Sequence, residues 1–276
     1  MNLWLVQIGA VIRLELKKTF FAKRGLWVYV LAFMPLLMFA GHTIDLMRRH
    51  STSDFGQDTN TFATVFQFFY LRLAIFFGCL GIFMNLIRGE MLDRSLHYYF
   101  LAPIRREVLM AGKFLAGLIA GTVIFGTSTL LQLFALYVHF DSFTLSEFFT
   151  RGDGVHHVVA YFGVTVLAIV GYGSVFLAAG VLVRNPIIPA AVILVWESIN
   201  SFLPVFLQKI SVIYYLKSLC PVEVPPQVPP PFSLLAVNPD PASAVVAIPS
   251  LLILSALVVI WSGRKIRRLE ISYSAD

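Results

Sequence analysis

Residues 88–113 read RGEMLDRSLHYYFLAPIRREVLMAGK, and they set how the rest of the chain is understood. They carry Arg88, Glu90, Asp93, Arg94, Arg105, Arg106, Glu107 and Lys113, with a long and almost uncharged apolar run on either side. Leu92, Leu96, Tyr99 and Phe100 recur at helical spacing, and Asp93, Arg94 and His97 lie elsewhere around that helix. Ala102-Pro103 stops it, because the residue before a proline is pushed out of the helical region. Pro103 then opens a second helix through Arg105, Arg106 and Glu107. A short amphipathic helix between two apolar runs has the shape of a docking element for a soluble partner.

Six apolar runs lie around this segment, at about 26–44, 62–87, 114–140, 158–183, 187–207 and 242–263. Crossing a hydrocarbon core of about 30 Å takes roughly 20 helical residues, so each run is long enough to span. Runs this long mean helices, since barrel strands are shorter and alternate. The composition agrees: 58% hydrophobic and 13% charged residues, with mean hydropathy +0.80, where a soluble domain carries about 25% charge. The fold expected is an all-α polytopic membrane protein forming one transmembrane domain over 1–276.

Basic residues set the orientation. With the N-terminus inside, Arg13, Lys17, Lys18, Lys23 and Arg24 precede the first span. Arg88, Arg94, Arg105, Arg106 and Lys113 join spans two and three, Arg184 joins four and five, and Arg264, Lys265, Arg267 and Arg268 follow the sixth. Only Arg48, Arg49, Arg151, Lys209 and Lys217 fall on the other side, so an N-in, C-in, multi-pass topology is expected. This asymmetry accounts for most of the +6 charge without nucleic acid. Residues 1–25 carry no signal-peptide pattern. Leu5, Ile8, Ile12, Leu16 and Phe20 share one helical face there, and Arg13, Lys17 and Lys18 another, which predicts an amphipathic helix on the membrane surface.

The connections differ in character. Residues 45–60 and 141–157 read as solvated polar loops. Residues 208–241 form an external segment, opening on a short interfacial helix with Tyr214 and Tyr215 at headgroup level and continuing into a proline-rich cap. Gly117 and Gly121, and Gly171, Gly173 and Gly180, predict close helix packing. The two cysteines, Cys79 and Cys220, are not expected to pair.

The chain has no phosphate-binding loop, because Gly112-Lys113 is followed by Phe114 and Glu107 stands where the loop needs glycine. It has no metalloprotease helix or nucleophile elbow, and no metal-ligating spacing. Energy must come from an ion gradient or from another subunit. Arg72 and Glu197 are the charges deep in the spans; each lies near mid-membrane, where an isolated charge is costly, so they are expected to face each other. Glu197, Asn200 and Ser201 share a face of span five, beside Trp196.

The 88–113 segment resembles the corresponding stretch of ABC transporter permeases of the type-2 exporter family. In that family a run of Glu and Arg, a short aliphatic helix, a small residue with proline, basic residues and then a lysine opening the third span join spans two and three. Here these are Arg88, Glu90, Asp93 and Arg94, then Leu96–Leu101, Ala102-Pro103, Arg105-Arg106 and Lys113. RLELKKTFFAKRGLWVYVL at the N-terminus is also similar to that family's approach to span one, and the resemblance covers the whole six-span layout. Ser95–Tyr99 is more aromatic than the family's usual aliphatic run, which leaves the subfamily open.

The resemblance implies a membrane-spanning export subunit of the plasma (inner) membrane, without enzymatic activity or a bound cofactor of its own. ATP and Mg would sit on a separate cytoplasmic ABC ATPase subunit. Residues 90–101 would be the coupling helix that docks it, with Glu90, Asp93, Arg94, Tyr98 and Arg105 as contacts. A second copy, or a related permease subunit, would complete the transporter among membrane lipids. Spans two and five would line the path, placing Arg72, Glu197, Asn200 and Ser201 beside it. Two other classes stay open. A gradient-driven carrier or channel would use Arg72 and Glu197 and show broken helices at matching positions in its two halves. A membrane-embedded enzyme would gather His, Ser or acids at one depth, yet His42 and His139 lack acidic neighbours within the predicted spans.

Overall fold

The computed structural model describes residues 3–21, 25–51, 53–90, 104–183, 185, 187–224 and 240–267. Among them every regular element is helical. We number the helices α1 (Leu3–Phe21), α2 (Leu26–Arg49), α3 (Phe55–Gly89), α4 (Arg106–Tyr137), α5 (Ser142–Thr150), α6 (Gly154–Leu182), α7 (Ile187–Ser198), α8 (Val205–Gln208), α9 (Val212–Ser218) and α10 (Ala244–Arg267). Two stretches of α3, Phe66–Ile75 and Asn85–Gly89, and one of α4, Thr122–Gly126, are wound as π-helix.

Five described helices are long and apolar enough to cross a membrane: α2, α3, α4, α6 and α10. This is the pattern of a polytopic membrane-embedded protein. In α3 and α6, 72% and 78% of the apolar window is buried inside the bundle, against 22% for α2 and 17% for α10. So α3 and α6 form the centre, while α2 and α10 present Val30, Leu37, Leu257 and Trp261 outward.

Packing at the centre depends on absent side chains. Phe83 of α3 is fully buried between two glycines: a Cβ on Gly117 of α4 or on Gly173 of α6 would lie 2.5 Å from its ring. Those glycines serve the close approach predicted for them. Several polar side chains inside the bundle bond across helices. The Tyr70 hydroxyl donates to the Phe125 carbonyl at 2.7 Å, the Thr43 hydroxyl donates to the Ala135 carbonyl at 2.7 Å, and Thr129 and Thr165 hydroxyls meet at 3.0 Å.

Helix ends fall where local chemistry puts them, and they correct the loops read from polarity. Residues 45–60 are mostly helical. α2 runs on to Arg49 and stops at His50, in the left-handed region (φ 49, ψ 36). α3 starts at Phe55 because the Asp54 carboxylate accepts from the Gln57 N–H at 3.0 Å. Residues 141–157 likewise contain α5, capped by Asp141, which accepts from the N–H groups of Phe143 and Thr144 at 3.1 Å each. Short polar residues cap helices as readily as they form loops.

The largest departure is the fifth run. It was expected to be one helix over 187–207, but α7 ends at Ser198. Ser198 bonds back to the Leu194 carbonyl at 2.7 Å, and Asn200–Phe202 is a 3-10 turn. Leu203 is extended (φ −83, ψ 152), as a residue before proline is. The chain then turns through α8 into α9. Val212, at the start of α9, reaches the middle of α6, where a Cβ on Gly171 would lie 2.7 Å from its Cγ1. Beyond α9, the Gln67 amide donates to the Val222 carbonyl at 2.7 Å. Tyr214 and Tyr215 are therefore packed in the bundle, at 8% and 9% exposure, rather than standing at a headgroup surface.

Candidate functional site

Segment 91–103 lies outside the described residues, and with it Asp93, Arg94 and Tyr98. Its two roots are described, and they are tied together. Lys113 of α4 is almost fully buried, and its ammonium lies 2.6 Å from Glu15 Oε1 of α1 and 2.8 Å from Glu90 Oε2 at the end of α3. It also donates to the Leu86 carbonyl at 2.7 Å. Lys18 of α1 closes the group, 3.0 Å from Glu90 Oε1. Lys113, Glu15 and Glu90 thus bring charges from three helices into one buried cluster, with half-exposed Lys18 at its edge, and such pairing is the condition under which buried ions persist. Burial pushes the Glu15 carboxyl above its ordinary range against the attraction of Lys113. Burial acts the same way on Glu90, but Lys113 and Lys18 together outweigh it and hold that carboxyl low.

This arrangement sets the face that α1 presents. Val11 and Glu15 are its buried residues, while Leu5 is 65% exposed, so the bundle-facing side differs from the predicted apolar stripe. Val11 fits because Gly112 has no side chain; a Cβ there would lie 2.9 Å from Val11 Cβ. Arg13, Lys17 and Lys18 are exposed. Arg105, at the start of α4, lies over the Trp4 ring at 5.1 Å, and Arg106 donates to the Ile266 carbonyl at 3.1 Å. A cavity of about 460 Å³ adjoins the cluster, walled by Val28, Ile82, Leu86 and Ile124, with Lys18 and Glu90 at its polar side. Glu90, expected to face a partner, is turned inward here. Arg105 is exposed.

The expected contact between Arg72 and Glu197 is replaced by a different one. Both Glu197 oxygens are used by the start of α9: Oε2 accepts from the Ser211 hydroxyl at 2.6 Å and the Ile213 N–H at 3.0 Å, and Oε1 from the Val212 N–H at 3.1 Å. Those N–H groups open a helix and have no partner within it, so the carboxylate satisfies them across the break. Arg72 feels Glu197 at longer range, but no carboxylate among the described residues lies within 4 Å of it. Its guanidinium sits 5.5 Å from the Phe68 ring. Asn200 is buried, and its amide nitrogen donates to the Gln208 carbonyl at 3.4 Å; Ser201 is half-buried. The shared helical face of Glu197, Asn200 and Ser201 does not form, because α7 ends between them.

At the opposite end of the bundle the structure assembles a group that sequence reading missed. Asp58 lies 3.2 Å from His139 Nε2 and 3.6 Å from His42 Nε2, and accepts from the Ser53 hydroxyl at 2.6 Å. The two histidines therefore do have an acidic neighbour, because α3 begins earlier than its apolar run. Ser53 Oγ also lies 2.9 Å from His139 Nε2. A hydrolytic triad needs serine and acid on opposite ring nitrogens. Here both approach Nε2, while buried Nδ1 has no hydrogen-bond partner, so the group fastens α2, α3 and α4 rather than activating Ser53. Among the described residues no three His, Cys, Asp or Glu side chains converge on a metal position.

No family model, curated protein or solved structure matches this chain.

Proposed function

We propose that the chain is the membrane-spanning permease subunit of an ATP-driven ABC exporter, worked by a separate cytoplasmic ATPase subunit. In this reading the end of the bundle bearing α1 and residues 88–113 faces the cytoplasm, and the chain crosses the membrane six times. The fifth crossing is the broken one through α7 and α9. Residues 90–101 form the coupling helix, with Asp93, Arg94, Tyr98 and Arg105 turned to the ATPase and Glu90 anchoring the root. A second copy or a related permease subunit completes the transporter.

The observation that carries the reading is the Lys113–Glu90–Glu15 cluster. It ties both roots of the charged segment to each other and to α1. A push on residues 91–103 therefore reaches α3 and α4 together rather than being lost in a slack loop. A partner drives such a change only through contacts that differ between its own two states, which is what closure of an ATPase pair would supply. Co-purification tests it: a cytoplasmic nucleotide-binding subunit should be retained by the wild-type chain and lost with Asp93→Ala plus Arg94→Ala. Transport by the chain alone would contradict it.

A gradient-driven carrier is the second reading. The break between α7 and α9, beside Arg72, favours it, because carriers bind their ions at broken helices. They also require a matching break in the first half, and α2, α3 and α4 continue unbroken.

A further inference from the structure

We propose that Arg72, Phe68 and Lys217 form a binding site for the phosphate-class anionic group of an amphiphilic cargo; this rests on the transport reading above.

Arg72 is the central residue of α3, yet it is only partly buried. A guanidinium at mid-membrane depth does not face hydrocarbon; it faces protein or a water-filled path. The partly open face around it is therefore a seam or a path. Lys217, in the last turn of α9, faces the same place: its ammonium lies 5.6 Å from the Phe68 ring, and the Arg72 guanidinium 5.5 Å from that ring. Two cations thus flank one half-buried aromatic.

Neither cation is paired. Among the described residues no carboxylate lies within 4 Å of either. The Glu197 charge reaches Arg72 at longer range, but its oxygens serve Ser211, Val212 and Ile213. Arg72 Nε is buried without a hydrogen-bond partner. Such a site gains from a bound anion what it lacks from its own chain. Arginine offers a planar fork that matches phosphate, and lysine a mobile point charge. Phe68 supplies apolar surface for the first carbons of a tail.

The test uses the purified full chain in dodecyl maltoside and radiolabelled dodecyl phosphate. Saturable binding is expected, weakened about tenfold in Arg72→Gln and in Lys217→Gln, the loss that accompanies one charge-assisted hydrogen bond. Arg72→Lys and Lys217→Arg, which keep the charge, should bind within a few-fold of wild type, and this separates charge from folding. Inorganic phosphate should compete poorly; competition equal to that of dodecyl phosphate would overturn the amphiphile assignment. Equal binding of dodecyltrimethylammonium, or unchanged affinity in both glutamine variants, would overturn the site. Because no ATPase is present, failure here leaves the ATPase co-purification result standing, and the converse also holds.

Discussion

Lys113 Nζ lies 2.6 Å from Glu15 Oε1, and through this pair an N-terminal helix that runs outside the bundle is fixed to the start of α4. Both side chains are 2% exposed. Glu90 shares the same ammonium, so one cation holds three segments far apart in sequence. Whatever acts on residues 91–103 acts on all three.

Removing the cation should therefore be more damaging than removing the whole cluster. Lys113→Met leaves Glu15 buried without its cation and beside Glu90, which keeps only Lys18, and this is expected to cost about 3–5 kcal/mol. Combining it with Glu15→Gln and Glu90→Gln should recover much of that loss. Thermal unfolding of the purified variants in detergent checks both, and a triple variant no more stable than the single one would contradict the assignment.

The Arg72 and Glu197 charges should not be exchangeable. Glu197 accepts from two backbone N–H groups and a hydroxyl, and arginine has no acceptor to offer them. Arg72→Glu with Glu197→Arg should thus be worse than either single change. Glu197→Ala should cost about 1–3 kcal/mol for each donor left buried without a partner. Recovery of assembly in the swapped variant, read by size-exclusion chromatography, would mean the two side chains pair directly after all.

Glycine positions separate packing from propensity. A Cβ on Gly78 would lie 2.1 Å from Phe125 Cζ, and Phe125 is fully buried. Gly78→Ala should destabilise by about 1–3 kcal/mol through overpacking. Gly163, in α6, has nothing within 4 Å of its Cβ direction, so Gly163→Ala should be neutral or gain up to about 1 kcal/mol from helix propensity. Thermal unfolding of the pair checks the contrast.

The long apolar runs made most of the bundle legible, because in lipid a run of that length has one outcome. The five long helices fall on the runs beginning near 26, 62, 114, 158 and 242, and Gly117 and Gly173 pack as expected. Helix ends were less legible, since Asp54 and Asp141 read equally as loop residues or caps. The break after Ser198 was hidden because the apolar run continues through Phe202 to Leu207, and hydropathy does not register that Leu203 is extended before Pro204. The two clusters were hidden for another reason. Lys113 meets Glu15 across 98 residues, and Asp58 meets His139 across the whole of α3 and α4; no local pattern encodes such pairs. Glu15 on the otherwise apolar side of α1, at Val11 plus four, was the one available signal.

The central claim is that the segment between α3 and α4 is a cytoplasmic handle for a separate ATPase. Cysteine placed at Tyr98 tests it most directly, in a chain whose own buried thiols, Cys79 and Cys220, are replaced by alanine. A membrane-impermeant maleimide should label that cysteine in inverted vesicles and not in intact cells, and binding of the ATPase subunit should protect it. Labelling from the outside of intact cells would contradict the account.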